Sequence, residues 1–306
     1  MKKSLIVLCG ATGVGKTELS LDVARHYSSP ILNADSRQIY RELPIGTAAP
    51  TAQEQALVPH YFVGTKSIRD DYNAGMYERE AISLTDELFK THDTLVMAGG
   101  AMMYIDAVCH GLDDIPQVPR ELRQRLTTEY KDKGTKWLQK ELHTYDPLYL
   151  ATMADPQNPQ RLLHALEVSI ASGQPYSSFR KGEPAQRPFG IIKIELTRPR
   201  EELYERINSR VDSMMNSGLE DEARSVYPLR HLNSLQTVGY KELFDCLDGK
   251  TDMQEAVRLI KQNSRHYAKR QMTWFRRDSD MIRVDISRPH ATDIVIQQIQ
   301  DKLLHI

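Results

Sequence analysis

The sequence predicts an α/β fold: a parallel sheet of the phosphate-loop type flanked by helices, interrupted by an all-helical insertion. Three observations carry this reading. Short apolar runs alternate with amphipathic stretches over the first hundred residues, which implies strand–helix–strand units and a parallel sheet. The segment Gly10-Ala11-Thr12-Gly13-Val14-Gly15-Lys16-Thr17 reads G-x-x-x-x-G-K-T at a strand-to-helix junction. Residues 119–172 keep a helical pattern with no strand run, and strand character returns at 190–196.

The elements follow in order. The apolar run 5–9 is the first strand, and the helix after Lys16 carries Leu19, Leu21, Val23 and Ala24. Further strands are expected at 31–34 and 94–98, with helices around 52–57 and 74–88. Asp113-Asp114-Ile115-Pro116-Gln117-Val118-Pro119 is a Pro-rich linker. Beyond it, Asn158 is placed to cap a helix that starts at Pro159 and stops at Gly173. Residues 177–188, rich in Ser, Gly, Pro and charge, form a loop. A helix over 199–218 opens on Pro199, Glu201 and Glu202 and aligns Leu203, Ile207, Val211 and Met214. A long amphipathic helix spans 251–277. The domains are therefore 1–112, the first part of the core, 113–188, the insertion, and 189–306, the completion of the core with C-terminal helices.

Bulk properties exclude several classes. A 306-residue chain with 40% hydrophobic and 26% charged residues is an ordinary soluble globular protein. Its net charge of -1 gives no global signal for nucleic acid, which leaves only a local basic face. Cys9, Cys109 and Cys246 are odd in number and far apart, as expected of reduced thiols in the cytoplasm. No apolar stretch reaches membrane-spanning length, and Met1-Lys2-Lys3 leads into a strand rather than a secretory signal.

The loop predicts an anion site. Gly10, Gly13 and Gly15 let the backbone curl with N–H groups inward, and the following helix presents its own free N–H groups and dipole. Lys16 adds a positive charge, and the Thr17 hydroxyl is a Mg2+ ligand. Alone, the loop suggests a nucleotide and ATP binding. No Asn-Lys-x-Asp segment reads guanine, and the 94–98 strand ends in Gly99-Gly100-Ala101 with no acid for a second Mg2+ contact. A mechanical or switching NTPase is therefore disfavoured. The informative carboxylate is Asp35, which ends the second strand beside the first and near the loop. It can accept a proton from a nucleophile or cap a helix that follows, and local sequence leaves both open.

The chain resembles the tRNA dimethylallyltransferases. The resemblance runs through Asp35-Ser36-x-Gln38-x-Tyr40, Gly46-Thr47-Ala48-x-Pro50, and Gly99-Gly100 with Tyr104. It continues through Asn158 with Gln160-Arg161, Ala165-Leu166-Glu167-Val168, and Leu203-Tyr204-x-Arg206-Ile207-x-x-Arg210-Val211-Asp212. Gly218-Leu219 with Glu222, Val238-Gly239-Tyr240-Lys241-Glu242, and Tyr267-Ala268-Lys269-Arg270-Gln271-x-Thr273-Trp274 close it. Nearly the whole chain is covered, in family order.

The resemblance implies transfer of a dimethylallyl group from dimethylallyl diphosphate to the N6 amine of the adenosine adjacent to the anticodon. On that reading the loop from Gly10 to Thr17 holds a diphosphate leaving group with Mg2+ on Thr17. Asp35 orients the amine and takes its proton as the C–N bond forms, worth about 10²–10⁴-fold. Arg210 faces the diphosphate; without the resemblance it reads as a helix-surface ion pair. The implied tRNA contacts are Asp35, Ser36, Arg37, Gln38, Ala101, Gln160, Arg161, Leu162, Leu163, His164, Val238, Gly239, Tyr240 and Lys241. The target base must leave its stack to react, as in base flipping.

One further feature is local. No acidic residue falls between Arg258 and Arg277, and Lys261, Arg265 and Lys269 recur every fourth residue on one face. That face is either a phosphate-contact stripe or a solvated helix surface. Trp274, Phe275, Met214 and Met215 read as core.

Three positions depart from the family pattern: Ala101 in place of Thr, Ala49 in place of Lys, and His164 where Arg is frequent. They suggest a divergent or second-copy member with altered RNA preference or low activity. The expected partners are the anticodon stem-loop and dimethylallyl diphosphate, for a monomer with no membrane contact. Adenine-nucleotide prenyl transfer, small-molecule phosphorylation and catalytically weakened RNA binding are the alternatives.

Overall fold

The computed structural model describes residues 2–180, 182 and 184–305. Met1 and Ile306 lie outside this set. So do Lys181 and Glu183, on which part of the loop expected over 177–188 falls. Among the described residues six strands form one fully parallel sheet: β1 (Ser4–Gly10), β2 (Ile31–Ala34), β3 (His60–Tyr61), β4 (Thr94–Gly99), β5 (Gly190–Thr197) and β6 (Ile282–Asp285). The order across the sheet is β3-β2-β4-β1-β5-β6. Every residue of β1 and β4 is buried, as central strands of a parallel sheet require when helices cover both faces.

The helices of the sheet unit begin with α1 (Lys16–His26), α2 (Ala52–Leu57), α3 (Ala74–Leu88) and α4 (Met102–His110). The insertion carries α5 (Arg120–Lys133), α6 (Thr135–Tyr145), α7 (Pro147–Thr152) and α8 (Pro159–Ser172). The sheet unit resumes with α9 (Arg200–Asn216), α10 (Leu219–Val226), α11 (Tyr240–Leu247), α12 (Met253–Phe275) and α13 (Ala291–Leu303).

Successive β1 side chains point to opposite faces and separate the sheet unit into two cores. Leu5, Val7 and Cys9 pack on one side with Leu32, Tyr77, Leu95 and Phe275. Ile6 and Leu8 pack on the other with Val23, Val96, Ile194 and Ile299. Burial pushes the Cys9 and Cys109 thiols well up, so both stay protonated and inert.

The chain divides into two compact units, one of residues up to His110 with those from Gln186 on, the other Gly111–Ala185. The second has its own core around Leu138, Leu142, Leu162, Leu166 and Tyr176. Its α8 starts as the sequence predicts. The Asn158 side chain accepts the Gln160 and Arg161 N–H groups at 3.1 and 3.2 Å, Pro159 is the first helical residue, and Gly173 ends the helix at φ 68°.

Two expectations need correction. The second strand does not lie beside the first, because β4 intervenes and pairs with both. No helix follows Asp35; turns lead to Tyr40, and the next helix is α2. The sequence also left β3 and β6 unmarked, being two and four residues with no continuous apolar run. Among the described residues no helix is long and apolar enough to cross a membrane.

Candidate active site

The carboxyl ends of β1, β2 and β4 open into a cavity of about 1230 Å³, lined throughout by residues of the sheet unit. Its floor is the loop between β1 and α1. Gly13 and Gly15 adopt φ of 80° and 111°, which side chains resist, and a Cβ on Gly13 would come within 2.8 Å of Ile207. Two arginines hold the loop. Arg206 Nε donates to the Gly13 carbonyl and Arg198 Nε to the Val14 carbonyl, both at 2.9 Å. Thr12, Gly13, Gly15, Lys16 and Thr17 face the cavity, whereas Ala11 and Val14 are buried beneath it.

Lys16 Nζ donates to the Gly10 and Ala11 carbonyls at 2.9 Å each. Burial and then the nearby Arg210 pull its ammonium down to about 8, while Asp35 opposes them. Arg210 is likewise lowered by burial and supported by Asp35. The two cations and the carboxylate thus share one electrostatic environment.

Asp35 caps a turn and not a helix. Its Oδ1 accepts the Arg37 N–H at 2.9 Å and the Gln38 N–H at 3.3 Å, capping the turn. Both bonds use one oxygen, Oδ1. Gln38 then reaches across the cavity edge, and its Nε2 donates to the Thr47 and Ala48 carbonyls at 3.1 and 3.0 Å. Arg210 donates to the same Thr47 carbonyl at 3.1 Å. Ala48 is held at φ 45°, a left-handed conformation that costs about 1–2 kcal/mol for a non-glycine. Ala49, at the second family departure, uses its N–H on the Pro44 carbonyl.

The remaining sequence candidates separate. Ser36, Arg37, Gln38, Val238, Gly239 and Lys241 line the cavity with Asp35. Tyr240 is fully buried. Ala101 is also buried and outside the lining, with its N–H on the Ala34 carbonyl at 3.0 Å. Gln160, Arg161 and His164 are exposed on α8 in the insertion, Leu163 is half-buried, and Leu162 lies in the insertion core.

The basic stripe of α12 is only partly free. Lys261 pairs with Asp212 at 2.6 Å, and Arg265 donates to Asn208 at 2.6 Å, so acceptors on α9 supply what α12 lacks. Lys269 stays exposed. Phe275 is core as expected, and Trp274, Met214 and Met215 pack half-buried against that core, Met214 also lining the cavity.

Sequence reasoning gave no role to Arg198, Gln271 or Glu222. The last two fall within family segments, but their contacts come from residues 259 and 177 positions away, which no local pattern marks. Among the described residues no group of three His, Cys, Asp or Glu could cage a metal. The Thr17 hydroxyl at the cavity wall fits Mg2+ only in its usual phosphate mode, with one protein oxygen and the rest from ligand and water.

A family model described as IPP transferase matches residues 38–278. The chain is 54% identical to tRNA dimethylallyltransferase 1 of Phocaeicola vulgatus, across 92% of this chain and 94% of that protein. It is 50% identical to tRNA dimethylallyltransferase 2 of Parabacteroides distasonis, across 98% and 99%. Among solved structures it is similar to the full-length tRNA isopentenylpyrophosphate transferase of Bacillus halodurans, with TM-score 0.71, 33% identity and 99% and 96% coverage.

Proposed function

The chain belongs to the IPP transferase family, and on that premise we propose that it transfers a dimethylallyl group from dimethylallyl diphosphate to the N6 amine of the adenosine adjacent to the anticodon in tRNA. Diphosphate is released, and the enzyme acts as a cytoplasmic monomer.

One observation carries the reading: a single cavity holds the phosphate loop, Lys16 and Arg210 together with a carboxylate, Asp35, whose two capping bonds use one oxygen. Many phosphate-loop NTPases hold Mg2+ with an acid at the end of a strand beside the loop, where this chain has Gly99-Gly100. The cavity of about 1230 Å³ exceeds the roughly 300–1,000 Å³ of a single small-ligand site, which suits a donor plus an extruded base.

The chemistry follows from these groups. Loop N–H groups, Lys16 and Arg210 stabilise charge that grows on the diphosphate as the allylic C–O bond breaks. Mg2+, held by Thr17 and diphosphate oxygens, would neutralise part of that charge when bound. The adenine amine is a weak nucleophile because its lone pair is delocalised into the ring, so the cation-like carbon provides the drive. Asp35 Oδ2 orients the amine and receives its proton as the C–N bond forms.

The test incubates the protein with dimethylallyl diphosphate, Mg2+ and unmodified tRNA bearing the target adenosine. Prenylated adenosine by mass spectrometry, with equimolar pyrophosphate, is expected. AMP should not compete with tRNA as acceptor. ADP release from ATP without prenyl transfer would replace the reading with a kinase.

A further inference from the structure

Gln271 makes contacts that the transfer chemistry does not use. Its side chain, 2% exposed, projects from α12 between the phosphate loop and the end of β4. Its Oε1 accepts the Thr12 N–H at 2.9 Å, and its Nε2 donates to the Gly100 carbonyl at 2.8 Å. The fit is close, since a Cβ on Gly100 would come within 2.4 Å of that Nε2. The Val14 N–H is also spent, on the Ala11 carbonyl at 3.2 Å. The loop therefore keeps its N–H groups for an anion mainly at the helix end, where the first turn of α1 has no intrahelical partners.

In phosphate-loop proteins that use triphosphates, an acid beside the loop holds Mg2+ near the terminal phosphate. Here the neighbouring strand β4 ends in Gly99-Gly100, and the Gln271 carboxamide bridges that end to Thr12. A third phosphate placed there would lose the Thr12 N–H and meet the carboxamide oxygen. We propose that Gln271 makes the loop selective for a diphosphate over a triphosphate by filling the place of the terminal phosphate. The proposal rests on the reading of the loop as a diphosphate site. Gln271 is a specificity-determining residue and does not touch the reacting atoms.

Calorimetric titration of the full chain with inorganic pyrophosphate and with tripolyphosphate, each with Mg2+, tests this. The wild-type protein should favour pyrophosphate by about tenfold or more, the worth of one charge-assisted hydrogen bond. Gln271→Ala releases the Thr12 N–H, and the preference should shrink to within about threefold. Gln271→Glu keeps an acceptor and adds a negative charge, so its preference should grow; this near-isosteric variant decides the matter if the alanine variant does not fold. A purely structural role would weaken both anions alike. An unchanged ratio in the folded variants therefore overturns the proposal while leaving the diphosphate reading intact. Equal wild-type affinities overturn it too. Failure of the wild type to bind pyrophosphate at all removes the diphosphate reading and this proposal with it.

Discussion

Glu222 accepts the Tyr240 hydroxyl at 2.6 Å, and the same carboxylate accepts the N–H groups of Ile45 at 2.8 Å and Gly46 at 2.7 Å. Burial and this carboxylate push the Tyr240 hydroxyl well up, so it remains a donor. Three donors thus converge on one side chain of α10. They fix the segment whose next residue, Thr47, offers its carbonyl to Arg210 and Gln38.

Glu222→Ala removes all three hydrogen bonds and should destabilise the fold by about 3 kcal/mol, against about 1 kcal/mol for Tyr240→Phe. Denaturant unfolding measures both. Equal losses would mean that the two N–H bonds to Glu222 contribute nothing.

Gly99→Ala should be far worse than its one methyl group suggests. A Cβ there would lie 2.0 Å from the Ala34 carbonyl, between paired strands that cannot separate. A loss of about 3 kcal/mol in thermal or denaturant melts is expected. Gly173→Ala provides the comparison. It sits in the left-handed region at φ 68° with nothing within 4 Å, and should lose only about 1–2 kcal/mol from backbone strain.

Lys16 sets a pH limit. Its value in the fold, about 8, lies below the ordinary 10.5 because of burial and Arg210. Between those values the unfolded chain holds a proton that the folded chain has released, so this group favours folding more as pH rises through that window. Anion binding runs the other way, because it needs charged Lys16. Pyrophosphate affinity should fall above about pH 8, and Arg210→Gln, by removing a like charge, should move that fall to higher pH. Identical pH profiles for the two proteins would remove Arg210 from the electrostatics of Lys16.

Much of this was legible in the chain. The phosphate loop, β1, β2, β4 and the α8 caps are local features, each fixed by residues a few positions apart. Asp35 was legible as a carboxylate near the loop, but its surroundings were not, because strand order is a long-range property and β4 comes between β2 and β1. The basic face of α12 was legible but its partners were not, because Asp212 and Asn208 belong to another helix. Glu222 and Gln271 act through contacts that exist only once the sheet and the C-terminal helices have come together.

The division of labour between Asp35 and the loop is the central claim, and single-turnover prenyl transfer by Asp35→Asn tests it most directly. Asparagine can keep the Oδ1 cap on the Arg37 and Gln38 N–H groups but cannot take the amine proton. Transfer at saturating dimethylallyl diphosphate should fall by about 10²–10⁴-fold, with the donor dissociation constant unchanged within about threefold. Transfer at the wild-type rate, or a loss explained wholly by weaker donor binding, would contradict it.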